Sequence, residues 1–275
     1  MIIVIQCTDQ LGLVAAISGI LAEQKINIVS LREHVDKAEN RFFMRLETEQ
    51  TADIALIETK MRSVLPADSI IAINPLPEKK IVVMVSKEYH CLADILTRNY
   101  FGTLGASVQC VIGNHTILED FCRRYDIPFF PVQFEQHDRP GFEQKIIDII
   151  KQHNPDYIVL AKFMRVLSPA FVEQFPTRII NIHHSFLPAF IGASPYRQAY
   201  ERGVKLIGAT AHFVTNDLDQ GPIIEQQISQ VNHSHRPEDM IRAGREVETS
   251  VLAKALQLVF DDRVIVYQNK TIVFS

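Results

Sequence analysis

Four apolar runs decide most of what this chain can become. IVVMVS (81–86), SVQCVI (107–112), YIVLA (157–161) and RIINI (178–182) show little polar alternation and are separated by longer stretches with helical spacing. A strand with one wet face alternates polar and apolar residues, whereas a continuous apolar run needs cover on both faces. Helices between the strands supply that cover. From Ile81 onward the sequence therefore predicts a doubly wound, mostly parallel sheet of the α/β class. In such sheets ligands bind beyond the carboxyl ends of the strands. That directs attention to Ser86–Cys91, Gly113–His115, Lys162–Leu167 and His183–Pro188. Past Thr210 the pattern turns β-rich in AHFVT and PIIEQQIS. A long helix is expected near Pro237–Phe260, and VIVYQ-NK-TIVF reads as a terminal hairpin.

The residues before this region follow another grammar. Ile2–Cys7, Ile26–Val35, Arg41–Glu47 and Ser69–Asn74 read as strands. Gly12–Gln24 and Ala52–Leu65 read as helices, with Leu13, Ile17, Ile20 and Leu21 on one face of the first and Ile54, Ile57 and Met61 on one face of the second. The order βαββαβ is that of a ferredoxin-like module with a four-stranded antiparallel sheet. PLPEKK (75–80), with two prolines and three charges, reads as a connector. The expected organisation is a first domain over 1–75, a linker over 76–80 and a second domain over 81–275.

Bulk properties exclude several function classes. A net charge of −4 gives no clustered basic reason to bind nucleic acid. The four cysteines form no CxxC pair, which predicts buried, reduced thiols rather than a zinc or redox motif. The N-terminus lacks a charged n-region and a long apolar core, and no run approaches the ~18 apolar residues of a membrane helix, so a cytoplasmic protein with no membrane partner is expected.

Two segments carry candidate chemistry. In NIHHSFLP (181–188), Asn181 and His183 lie two apart at the end of a strand and project to one face, with His184 on the other. An amide can donate to a developing oxyanion, and an imidazole can move a proton near neutral pH. The same residues can simply close a turn. In NDLDQGPII (216–224), Asp217 and Asp219 can orient a histidine or hold a water, or can belong to a solvated turn. His212 in TAHFV is either a core histidine or a site residue. A metal site of His183, His184 and Asp219 is weakly supported, because no pair has familiar ligand spacing. No metal and no cofactor is expected.

Taken together, NIHHSFLP and GATAHFVTNDLDQGPIIEQ closely resemble the formyltransferase family that uses formyl-tetrahydrofolate. Its pattern is Asn-x-His, Ser-x-Leu-Pro, His-Phe-Val and Asp-x-Gly, and the likeness spans roughly Ile81–Phe260. The resemblance implies catalytic roles for Asn181, His183 and Asp219. It implies folate contacts in AKFMRVLSP at Arg165, Val166 and Leu167, and substrate contacts at His184, Ser185, His212 and Gly221. Transferases of this family that formylate glycinamide ribonucleotide carry a Gly-x-Gly-Ser-Asn loop after the first strand. Here that place reads SKEYHCL (86–92), with no glycine to let backbone N–H groups approach a phosphate. His184 stands where transferases usually have proline. Both departures, with GASPY (192–196), resemble the deformylase branch of the family. CTDQLGLVAAISGILAEQKINIVSLREHV resembles an ACT domain, which that branch also carries. The resemblance implies hydrolysis of 10-formyltetrahydrofolate to tetrahydrofolate and formate, supplying formate for purine synthesis, with folate as substrate rather than cofactor. A formyltransferase acting on another amine is the alternative. The resemblance also implies amino-acid effectors such as glycine and methionine at a turn formed by Asp9, Gly12, Leu13 and Asn27. A homo-oligomer is the default assembly for such a module.

Overall fold

The computed structural model describes residues 1–49, 53–74, 78–134, 138–187 and 195–274. The chain forms two compact units, Met1–Pro77 with Leu258–Tyr267 and Ile272–Ser275, and Glu78–Gln257 with Gln268–Thr271.

In the first unit, β1 (Ile2–Thr8), α1 (Leu13–Glu23), β2 (Ile28–Asp36), β3 (Arg41–Thr48), α2 (Ile54–Val64) and β4 (Ile70–Asn74) build a four-stranded sheet in the order β2-β3-β1-β4. Every pairing in it is antiparallel, so the βαββαβ expectation stands. Gly12 enters α1 at φ 88°, in the left-handed region open to glycine at no steric cost. Leu13, Ile17 and Leu21 from α1 pack with Ile57 and Met61 from α2 over Ile3, Ile5, Met44 and Leu46.

One strand shows what the other face of this sheet requires. β3, RFFMRLET, is buried along nearly its whole length, so both its faces are covered. Phe43, at 0% exposure, packs against Ile265 and Phe274, with the Tyr267 ring edge-on at 5.4 Å. Arg45 is buried beside it and donates from Nε and Nη2 to the Asp261 carbonyl at 3.1 and 2.9 Å. These partners lie in or beside the terminal hairpin β12 (Val264–Tyr267) and β13 (Lys270–Val273). The sequence predicts a single second domain over 81–275. Most of the hairpin instead groups with the first unit, because Phe43 and Arg45 would otherwise face water.

The second unit holds β5 (Lys79–Val85), α3 (His90–Tyr100), β6 (Ala106–Gly113), α4 (Glu119–Arg123), β7 (Phe129–Pro131), α5 (Arg139–His153), β8 (Tyr157–Leu160), α6 (Pro169–Val172), β9 (Ile179–His183), α7 (Pro195–Arg202), β10 (Leu206–Phe213) and β11 (Ile223–Gln230). The last helix, α8 (Pro237–Phe260), lies in it up to Gln257. The seven strands run in the order β11-β10-β9-β8-β5-β6-β7, parallel from β9 to β7, with β10 and β11 antiparallel. The strand β5 starts at Lys79, two residues inside the expected linker. Lys79 pairs with Ala106, and the Lys80 N–H is accepted by Asp156 Oδ2 at 2.7 Å, which extends the ladder. Pro75–Pro77 lie outside the described residues. The four cysteines are free and buried. Among the described residues no helix is long and apolar enough to cross a membrane.

Glu248, at 1% exposure on α8, ties three elements together. Its carboxylate accepts from His90 Nε2 at 2.8 Å and from the Tyr196 hydroxyl at 2.5 Å, and pairs with Lys162 Nζ at 3.1 Å. Burial alone would raise its pKa, but the His90 hydrogen bond, the Lys162 charge and the Tyr196 hydroxyl push it down to about 2.

Two outcomes follow from this packing. Phe43→Ala should cost about 3–5 kcal/mol of the first unit's stability, measured by urea unfolding. Glu248 titrates lower folded than unfolded, so its contribution is full above about pH 4.5 and fades as pH falls toward 2. That contribution is about 3 kcal/mol. Glu248→Gln should lower Tm at pH 7 and flatten the acid loss of Tm; an unchanged Tm–pH curve would contradict the network.

Candidate active site

The site forms where parallel β9 meets antiparallel β10. Their register sets Asn181 opposite His212 and His183 opposite Thr210. Asn181 Nδ2 lies 3.2 Å from His212 Nε2. The other ring nitrogen, His212 Nδ1, sits 2.9 Å from the Phe213 carbonyl and must donate to it. In the neutral ring, Nε2 is then the acceptor, and Asn181 gives it one amide hydrogen while keeping a second. Burial lowers the His212 pKa, which favours this neutral tautomer.

Asp219 faces the two histidines from the loop that follows β10. Its Oδ1 lies 3.4 Å from His183 Nδ1 and 3.8 Å from His212 Nε2. The residue sits at φ 56°, a left-handed conformation that aspartate tolerates better than most side chains. Burial would raise the carboxyl pKa, but the hydrogen bond to His183 and the surrounding imidazoles hold it below its ordinary value. It is therefore charged at neutral pH. Asp217, the other acidic candidate, is exposed and does not line the cavity. His183 Nε2 is buried without a hydrogen-bond partner. The pKa of His184 is pushed down to about 4 by burial, Lys162 and His183.

A cavity of about 520 Å³ collects these groups, a size within the ordinary range of small-molecule sites. Asn181, His183, His184, His212, Asp219, Arg165, Val166 and Leu167 all line it. At its mouth Met164, Val166 and Leu218 are each more than half exposed, an apolar rim suited to a flat ring. The rim segment after β8 is anchored by its neighbours. Met164 N–H donates to Ser86 Oγ at 2.9 Å, Arg139 Nη2 donates to the Val166 carbonyl at 2.8 Å, and Arg165 stacks 4.1 Å over Phe134.

Two expected site residues stand elsewhere. Ser185 is buried, its Oγ without a partner, and Gly221 is absent from the cavity lining. A Cβ at Gly221 would meet the Phe213 carbonyl oxygen at 1.8 Å, so that glycine is required by close backbone approach. Ser194 and the rest of 188–194 lie outside the described residues. Among the described residues, the grouping with metal-ligand geometry is His90, Cys91 and Glu248, not His183, His184 and Asp219. In the first unit, Gly12 is exposed at the start of α1, whereas the Leu13 side chain is taken up by the core.

The sequence reading misses Thr210 and Gln226, and reaches Lys162 only as the edge of the segment 162–167, without a role. Thr210 Oγ1 donates to the Ser185 carbonyl at 3.0 Å and accepts from Leu187 N–H at 3.1 Å and Gln226 Nε2 at 2.8 Å. These bonds pin the chain just after His183. The available signal was a threonine two residues before His212, on the same strand face.

Residues 79–256 match the model of the formyl transferase family, and residues 1–66 match that of the ACT domain. The chain is 51% identical over 267 residues to the formyltetrahydrofolate deformylase of Escherichia coli O6:H1, covering 97% of this chain and 95% of the relative. It superposes on the formyltetrahydrofolate deformylase of Pseudomonas syringae with a TM-score of 0.94 at 40% identity, covering 100% of this chain and 94% of that one. The glycinamide ribonucleotide transformylase 1 of Symbiobacterium toebii aligns at a TM-score of 0.68 and 29% identity, covering 72% of this chain and 95% of that one. An ACT domain joined to a formyl transferase domain, with near full-length likeness to these enzymes, places the chain in the formyltetrahydrofolate deformylase family.

Proposed function

We propose that this protein hydrolyses 10-formyltetrahydrofolate to tetrahydrofolate and formate. The observation that carries the reading is the grouping of Asn181, His183 and Asp219 on one cavity wall, in a chain of this family. Asp219 holds the His183 ring through Nδ1, which leaves Nε2 to take a proton from water. The water oxygen bonds to the formyl carbon, and the amide hydrogen of Asn181 not used by His212 donates to the resulting oxyanion. The carbon–N10 bond then breaks, N10 takes the proton from His183, and formic acid ionises to formate. His212 acts through Asn181 as a positioning residue. Arg165, Val166 and Leu167 would seat the folate ring, with His184 and Ser185 supporting the wall beside His183. Gly221 supports the loop that carries Asp219. The substrate is a folate and the chemistry calls for no further cofactor. Amine transfer is the competing reading, because the transformylase shares the second unit's fold.

The ACT module is read as a regulatory site for small amino acids such as glycine or methionine. Its candidate surface is the turn of Asp9, Gly12, Leu13 and Asn27, in a cytoplasmic homo-oligomer.

Formate release measured without any amine should proceed in the wild type and respond to glycine or methionine. Asn181→Ala should lower it about 10²–10³-fold through the loss of one oxyanion donor. Wild-type hydrolysis in Asn181→Ala would sink the assignment, and strict dependence on an amine would replace hydrolysis with transfer.

A further inference from the structure

Lys162 takes no part in the proposed hydrolysis, yet it occupies a costly position. Its backbone sits at φ 63°, in the left-handed region that favours glycine. Its side chain is only 7% exposed, with Nζ 3.1 Å from the Glu248 carboxylate. Burying a lysine in glycine's conformation calls for a compensating use.

Two cavities meet at this residue. The site cavity and a second one of about 710 Å³ share Lys162, Met164 and His184 as lining residues. The second cavity is lined by the ion pairs Arg197–Glu201 at 2.9 Å and Arg245–Glu88 at 3.1 Å, a polar wall that suits a small amine. An amine held there would be drawn toward Glu248 as the deepest carboxylate. That carboxylate is already taken by Lys162, His90 and Tyr196.

We propose that Lys162, held by Glu248, is the partition that keeps amine acceptors off the formyl carbon and so selects hydrolysis over transfer. The proposal rests on the hydrolase reading and deepens it. In transfer, an amine nitrogen would bond to the formyl carbon, the carbon–N10 bond would break, and the amine's proton would end on N10. No formate would form. The lysine stem fills the space through which that nitrogen must approach, and its ammonium neutralises the carboxylate that would anchor it. Water needs neither.

The test uses the full-length protein with 10-formyltetrahydrofolate and glycinamide, with N-formylglycinamide and formate quantified separately. Lys162→Gly suits the left-handed backbone and removes the stem; Lys162→Ala removes it too, at the cost of strain in that backbone; Lys162→Met keeps the bulk. The ratio of N-formylglycinamide to formate should rise at least about tenfold in the glycine and alanine variants. It should rise less in Lys162→Met, which unmasks the Glu248 carboxylate but keeps the stem. An unchanged ratio in the truncated variants, or an equal rise in Lys162→Met, overturns the partition. Wild-type formate release without glycinamide keeps the two ideas separate: its absence overturns the hydrolase reading, whereas its presence beside an unchanged ratio overturns only the role of Lys162.

Discussion

The register between β9 and β10 is the constraint on which the site depends. Asn181 and His183 alternate along one strand, Thr210 and His212 along the other, and the antiparallel pairing sets them face to face. Slipping that register by one residue would send one strand's polar pair to the opposite face of the sheet and separate the two pairs. The pairing is braced on both sides. Thr210 and Gln226 hold the chain leaving β9, and Phe213 N–H donates to the Pro222 carbonyl at 2.9 Å, where only a glycine at 221 lets the backbones approach. A bulge between Ala211 and His212 shifts the β11 register there, next to the site. Asp219 then swings back from a loop whose turn it enters in a left-handed conformation.

Three imidazoles surround one carboxylate, and their neighbours give each a different state. His212 spends Nδ1 on a backbone carbonyl and Nε2 on Asn181, so both its nitrogens are committed. His184 is kept neutral by burial and by Lys162. His183 alone combines an Nδ1 facing Asp219 with an Nε2 that no protein group engages. The proposed division of labour therefore follows from hydrogen-bond accounting rather than from residue type, since by type the three are equal.

Much of this was legible in the sequence, for reasons that can be stated. Unalternating apolar runs announced strands covered on two faces, and β5, β6, β8 and β9 appear where those runs lie. The pairing of Asn181 with His183 followed from the two-residue repeat of a strand. The fate of the terminal hairpin was not legible, because covering Phe43 is a demand made by a residue more than two hundred positions away. Short β7 is not legible, because FFP is too brief to show a period. At Lys162 the strand-end rule reaches the segment but not the role, because nothing local distinguishes a lysine after a strand from a solvated one. Its left-handed backbone and its pairing with Glu248 on α8 belong to the tertiary structure and to no local pattern.

A carboxylate buried as deeply as Glu248 is costly unless every lone pair is answered. Here three donors from three elements answer it, His90 from α3, Tyr196 from α7 and Lys162 from the segment after β8, and the last two also line the second cavity. Removing the charge by evolution to an apolar residue would leave Lys162 unpaired beside His184, whose neutrality depends partly on that same lysine. The network is therefore coupled to the site's electrostatics as well as to its shape. A fold that had to admit an amine would need to undo this arrangement at several points together, whereas one that admits only water can bury it. The cost of burying Glu248 is accounted for by the separation of the second cavity from the site that Lys162 provides.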